Sequence, residues 1–181
     1  MRSAALRRAT HAATAAILVL PIIIDWQTFR YVVLSLATVW MAVEGLRIRV
    51  PRIQEGLATV LPVFRDDEAT RVSGAGWLML GYALAVWFPQ PAATAGFLVA
   101  AFADPMASAV GTQFSRDRQK TLAGSVTFLV VSLAVLWSIG LRWPALAGAA
   151  IVGVVFERWP LGLNDNVVVA PTVSVAVLAL A

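Results

Sequence analysis

Long apolar runs broken by short polar stretches set the pattern of this chain. A helix needs about 20 predominantly apolar residues to cross a bilayer core about 30 Å thick. Seven segments are read as crossings: Ala9–Ile24, Phe29–Leu46, Ser73–Phe88, Ala92–Phe114, Ser125–Leu141, Pro144–Phe156 and Val167–Ala181. A Pro89-Gln90-Pro91 break separates the third from the fourth, and the seventh is the short one. The runs lack the strict alternation of a membrane barrel. The pattern therefore predicts an all-α membrane protein with about seven transmembrane helices, residues 1–181 forming a single polytopic transmembrane domain. The first run has arginines ahead of it, as a signal peptide would, but it ends at Pro21–Trp26 with no small-residue cleavage site. It is read as a retained first helix.

Composition strengthens this picture. Apolar residues make up 60% and charged residues 13%, against roughly 25% charged in soluble proteins. The mean hydropathy of +0.80 excludes a soluble globular domain, a disordered chain and a nucleic-acid binder. There are no cysteines, which removes a disulfide framework, a thiolate metal site and a catalytic Cys. Charge then orients the spans. With a cytoplasmic N-terminus, Arg2, Arg7, Arg8, Arg47, Arg49, Arg52, Arg65, Arg71, Arg116, Arg118, Lys120 and Arg158 lie inside, leaving only Arg30 and Arg142 outside. That is a strong positive-inside bias. The same topology places Trp26, Trp87 and Trp143 at outer helix ends. The expected location is a cytoplasmic (inner) or ER-like membrane.

The remaining polar residues are just as one-sided. Every carboxylate but Asp25 falls on the inner side, as expected of an enzyme that meets a soluble substrate at the cytoplasmic face. Asp104 stands in an otherwise apolar span, where an acid costs on the order of 3 kcal/mol and normally faces a polar cavity; Pro105 weakens the helix ladder beside it. The bland reading is a neutral Asp bonded to a neighbouring helix. Gly111–Phe114, the basic stretch Ser115–Lys120 and Thr121–Ser125 make a plausible polyphosphate seat, with backbone N–H groups, a helix start and cations. Positive-inside anchoring accounts for its charges equally well, and no Walker loop is present.

Glu157–Asn166 offers oxygen ligands suited to Mg²⁺; Asp165 or Asn166 would also serve as a helix N-cap. Glu44 ends the second span within reach of the same inner cavity. Gly74 and Gly76 permit tight helix contacts, and Asp66-Asp67-Glu68 reads as a solvated loop. His11, the only histidine, lacks metal partners nearby in sequence and reads as a structural or lipid-headgroup contact.

Taken in order, these motifs resemble the dolichol kinase / phytol kinase (polyprenol kinase) family of CTP-dependent integral-membrane lipid kinases. Arg7–His11 resembles its R-K-x-x-H start, and Thr70–Gly76 its polar turn after Glu44. Ala103–Gly111 resembles A-D-x-x-A-x-x-x-G, Lys120–Ser125 resembles K-S-x-x-G-S, and Asn164–Pro171, preceded by Glu157, resembles its D-N…P ending. The chain departs in carrying Ser115 where a second Gly is frequent, Thr121 for Ser, and a short length.

The resemblance implies transfer of the γ-phosphoryl group of CTP to a lipid alcohol (a polyprenol, a phytol-like alcohol or diacylglycerol) with Mg²⁺ or another divalent cation. It implies Asp104 and Lys120 as catalytic residues, and Asp104, Asp165 and Glu157 as metal ligands. Gly111, Lys120, Thr121, Gly124, Ser125, Asn166 and Arg71 would serve the nucleotide, with His11 and Glu44 contacting lipid or holding structure.

A phosphatidate cytidylyltransferase is the nearest alternative, though its K-D…H-G-G…D-R signature is missing. A CDP-alcohol phosphotransferase would need a D-G-x-x-A-R…G-x-x-x-D-x-x-x-D helix, also missing. A small transporter or scaffold would line a path to both faces with polar residues, unlike the one-sided pattern here. The identity of the lipid, CTP against ATP, and homodimerisation are open at this level.

Overall fold

The computed structural model describes residues 2–60, 64, 68–115, 120–159 and 162–181. Among them there are eight α-helices and no strand. Helix α1 (Arg2–Ala13) passes into a 3₁₀ segment (Thr14–Ile22), followed by α2 (Trp26–Arg49), α3 (Pro51–Val60), α4 (Gly74–Ala85), α5 (Gln90–Phe114), α6 (Leu122–Ser138), α7 (Trp143–Arg158) and α8 (Asp165–Leu180).

Local chemistry explains where these helices begin. Asp25 opens α2 by accepting from the Thr28 N–H at 3.0 Å, and Ser73 opens α4 by accepting from Gly76. Thr121 caps α6 through the Gly124 N–H at 3.0 Å. Each side-chain oxygen satisfies one of the donors a helix start leaves unpaired. Pro91 and Pro144 sit in the first turns of α5 and α7, where their missing N–H costs nothing. Gly140 and Gly162 adopt φ of 77° and 79° in the turns before α7 and α8, a conformation that glycine tolerates best.

Three features differ from the sequence expectation. The first apolar run is not one α-helix: its apolar half winds as a 3₁₀ segment containing Pro21, whose ring and missing donor disfavour α-helical pairing. The polar stretch after Arg49 holds an additional helix, α3, none of whose residues is buried. Finally, among the described residues only α2 and α5 are by themselves long and apolar enough to cross a membrane; α4, α6 and α8 are shorter apolar helices. Pro105 lies within α5 without ending it.

Helices α5, α6, α7 and α8 pack in a ring, each against its neighbours in the chain and α8 back onto α5. Helix α4 covers α8, α2 covers α4, and α1 with the 3₁₀ segment lies along α5. The buried core includes Phe29, Tyr82, Phe97, Phe128 and Leu136, with the Tyr82 and Phe97 rings stacked at 4.2 Å. Small residues set the spacing. A Cβ on Gly81 would meet the Asn166 carbonyl at 2.6 Å, and one on Gly96 would meet the Ala170 carbonyl at 2.3 Å. Helix α8 therefore lies in backbone contact with both α4 and α5. Away from these seams, large apolar side chains such as Val39, Val126, Val130, Ile151 and Val175 are exposed.

This packing has a direct test. Gly96→Leu must force α5 and α8 apart and lower stability by about 1–3 kcal/mol, read as a drop in thermal midpoint in detergent. Gly45→Ala, where an added Cβ meets nothing within 4 Å, leaves the midpoint unchanged or slightly raised.

Candidate functional site

Charged side chains from separate helices converge at one end of the ring. Asp104 of α5, Glu157 in the last turn of α7 and Asp165 at the start of α8 each place a carboxylate oxygen within 4.8 Å of the other two. Although Asp104 is near the middle of α5 in sequence, it is level with the point where α7 ends and α8 begins. It therefore meets polar partners rather than the apolar centre of the bundle. The cap of α8 falls on Asn164, whose side chain accepts from the Asn166 N–H at 3.0 Å. Asp165 Oδ1 accepts from the same N–H at 3.0 Å, and its Oδ2 turns toward the cluster.

Lys120, the only lysine among the fourteen basic residues, reaches into this group from the connection between α5 and α6. Its ammonium donates to Glu157 Oε1 and, at 2.5 Å, to Asp165 Oδ2. Burial alone would lower the Lys120 pKa; the facing carboxylates of Asp165 and Glu157 outweigh it and hold the ammonium above the ordinary lysine range. Among the described residues, the Lys120 ammonium pairs with two of the three clustered carboxylates, Glu157 and Asp165. Glu157 is itself buried, and its Oε2 has no hydrogen-bond partner among the described residues. A buried carboxylate oxygen left without a donor is costly, and a cation bound on this carboxylate would satisfy it. Hard oxygen donors of this kind suit Mg²⁺.

His11 approaches from α1, its Nδ1 lying 3.8 Å from Asp104 Oδ2, while its buried Nε2 has no hydrogen-bond partner among the described residues. The partner that sequence proximity did not offer comes from α5. One turn earlier on α1, Arg8 donates to the Ser108 carbonyl at 3.2 Å and to the Thr112 hydroxyl at 3.0 Å. These contacts hold α1 along the C-terminal half of α5. Deeper in the bundle, the Thr14 and Tyr82 hydroxyls lie 2.7 Å apart.

The other sequence candidates are drawn into packing. Gly111 and Gly124 face each other across the α5–α6 crossing, with a Cβ on Gly124 reaching the Gly111 Cα at 3.5 Å. The Thr121 hydroxyl is the α6 cap, and Ser125, buried, accepts from Arg158 at 3.0 Å. The Asn166 side chain donates to the Gly74 carbonyl at 3.1 Å, tying α8 to α4. Glu44 forms a separate buried network. It pairs with Arg47 at 2.7 Å, accepts from the Ser73 hydroxyl and accepts from the Ser73 N–H at 3.2 Å. Arg47 continues to the Glu68 carbonyl at 2.9 Å and the Arg71 carbonyl at 2.6 Å, so Arg71 enters this clasp through its backbone, its side chain being exposed. Arg116, Arg118, Asp66 and Asp67 lie outside the described residues.

The sequence places Arg8, Arg47 and Arg158 among the positive-inside charges, and Arg8 also within the Arg7–His11 motif, without assigning any of them a contact. Signals existed for two of them: Arg8 shares the His11 face of α1 at three-residue spacing, and Arg47 has the same spacing from Glu44. Comparison with protein-family models, curated proteins and solved structures returns no match.

The Glu44–Arg47 clasp predicts an asymmetric outcome. Arg47→Met strands a buried carboxylate and lowers stability by about 3–5 kcal/mol. The double variant Glu44→Leu/Arg47→Met loses markedly less, as compared by thermal unfolding of the purified proteins.

Proposed function

We propose that this chain is a CTP-dependent lipid kinase of the polyprenol-kinase type, transferring the γ-phosphoryl group of CTP to a lipid alcohol at the cytoplasmic face of the membrane. The observation that carries the reading is the convergence of Asp104, Glu157, Asp165 and Lys120 at one end of an otherwise apolar helical bundle. Phosphoryl transfer requires little covalent chemistry from a protein; it requires positioning and the neutralisation of negative charge. The cluster supplies both kinds of group at one place. Seven apolar segments, counted from the 3₁₀ segment to α8, would cross the membrane with the N-terminus inside. The many exposed large apolar side chains on the helices, among them Val39, Val126, Val130, Ile151 and Val175, support that arrangement, because apolar side chains exposed in such number call for a cover other than water.

Within this reading each residue has one task. Glu157 and Asp165 hold the divalent cation, which when bound neutralises charge on the phosphates. Asp104 faces the side of the cluster nearest His11; it orients the lipid hydroxyl and takes its proton. His11, 3.8 Å away, positions the Asp104 carboxylate. Lys120 binds phosphate oxygens, and Arg158, already fixed on Ser125, adds a second cation at the same end. The hydroxyl oxygen forms a bond to the γ-phosphorus, the bond from that phosphorus to the β–γ bridging oxygen breaks, and CDP leaves.

The deciding experiment uses purified protein in detergent with Mg²⁺, CTP labelled separately at the α and γ phosphates, and a mixture of lipid alcohols and phosphatidate. Label from the γ position is expected in lipid. Label from the α position with pyrophosphate release would instead identify a cytidylyltransferase, and no transfer of either kind, with no CTP binding, would favour a transporter or scaffold. Asp104→Asn is expected to lower the transfer rate by about 10²–10⁴-fold while leaving the thermal midpoint close to that of the parent. An unfolded variant would mean that Asp104 serves the fold instead.

A further inference from the structure

Resting on the divalent-cation part of the function proposed above, we infer that Lys120 is an internal placeholder cation. Its ammonium occupies the metal position between Glu157 and Asp165 when no nucleotide is bound, and gives it up when the nucleotide phosphates arrive with the divalent ion. The same lysine then pairs with those phosphates, so metal and nucleotide enter as a coupled pair.

The geometry points to exchange rather than coexistence. The Lys120 ammonium contacts two of the three carboxylates capable of sharing a metal. A Mg²⁺ ion on the two oxygens that the ammonium contacts, Glu157 Oε1 and Asp165 Oδ2, would sit about 2.0–2.1 Å from each. With Nζ only 2.5 Å from Asp165 Oδ2, the ammonium and the ion would occupy nearly the same space, and like charges at that separation repel strongly in a partly buried site. The alternative, Glu157 and Asp165 side by side without the ammonium that now joins them, carries the cost of crowded like charge. A lysine that fills the site and later withdraws answers both demands.

The residue type fits the task. All thirteen other basic residues are arginine, yet the one inside the cluster is lysine. Arginine is a planar fork that locks bidentately onto carboxylates, whereas lysine is a compact point charge on a flexible four-carbon stem. Lys120 also stands outside the helices, between the α5 C-cap Ser115 and the α6 N-cap Thr121, so its swing disturbs no helical hydrogen bond. Glu157 Oε2, buried and without a hydrogen-bond partner among the described residues, is the ligand atom that the lysine leaves unsatisfied.

Mn²⁺ binding, followed by electron paramagnetic resonance on purified protein at fixed pH, tests the exchange without relying on turnover. Without nucleotide, Lys120→Met is expected to bind Mn²⁺ at least about tenfold more tightly than the parent. Adding CTP should tighten Mn²⁺ binding strongly in the parent and little in the variant.

A second measurement avoids any substitution. Reductive ¹³C-methylation keeps the lysine charge and gives one side-chain amine signal, because Lys120 is the only lysine. That signal is expected to shift when Mg²⁺ and CTP are added together. Equal Mn²⁺ affinity in parent and variant, or a methyl signal unmoved at saturating Mg²⁺ and CTP, would overturn the exchange while leaving the kinase reading intact. Absence of Mn²⁺ binding in both proteins, with and without CTP, would overturn the exchange together with the metal assignment.

Discussion

Helix α8 lies where it does because two glycines facing it have no side chain. At Gly81 and Gly96 the neighbouring backbone of α8 comes so close that a single methyl group would collide with a carbonyl oxygen. In an apolar bundle, small residues at a seam are what let helix backbones approach and gain dispersion contact. Here the consequence reaches further than packing. Drawing α8 against α4 and α5 places its first turn level with Asp104 and the end of α7, and so assembles the carboxylate cluster.

Once assembled, that cluster is governed by electrostatics rather than by shape. Asp104, Glu157 and Asp165 lie close together with Lys120 among them. Partial burial strengthens both the attraction to the ammonium and the repulsion among the acids. The Glu44–Arg47 clasp solves a related problem differently. Its buried pair is saturated by Ser73 and by two backbone carbonyls, so it has no capacity left for a ligand and acts as a fastener for the start of α4. The first network keeps one buried oxygen, Glu157 Oε2, without a hydrogen-bond partner among the described residues; every oxygen of the Glu44 carboxylate in the second is paired. That contrast separates a site from a brace more clearly than burial does.

The two networks also share one end of the bundle, together with Arg8, His11 and Arg158. At the other end the polar contacts are sparser. Arg30 donates to the Val86 carbonyl and lies over the Trp87 ring, and Asp25 caps α2. Between the ends the interior holds Phe29, Phe97, Phe128 and Leu136, together with the Thr14–Tyr82 hydroxyl pair and the buried hydroxyls of Ser132 and Ser174.

The sequence by itself determined the helical class and the approximate position of nearly every apolar helix, and it named Asp104, Glu157 and Asp165, the three acids that the fold brings together. Those properties are written in the lengths of the apolar runs and in the rarity of charge within them, and neither depends on which helix touches which. It did not reveal that the first run turns into a 3₁₀ segment, or that α3 exists in the polar stretch after Arg49. Only the tertiary structure decided the division of labour among the polar residues. Asp165 and Asn166 are adjacent, yet one faces Lys120 and the other ties α8 to Gly74. Gly111, Thr121, Gly124 and Ser125 read as a phosphate seat in sequence, and in the fold they form a helix crossing, a cap and an arginine anchor. A helix turns 100° with every residue, so neighbours in sequence face different partners, and the identity of those partners is fixed by packing distances between helices far apart in the chain.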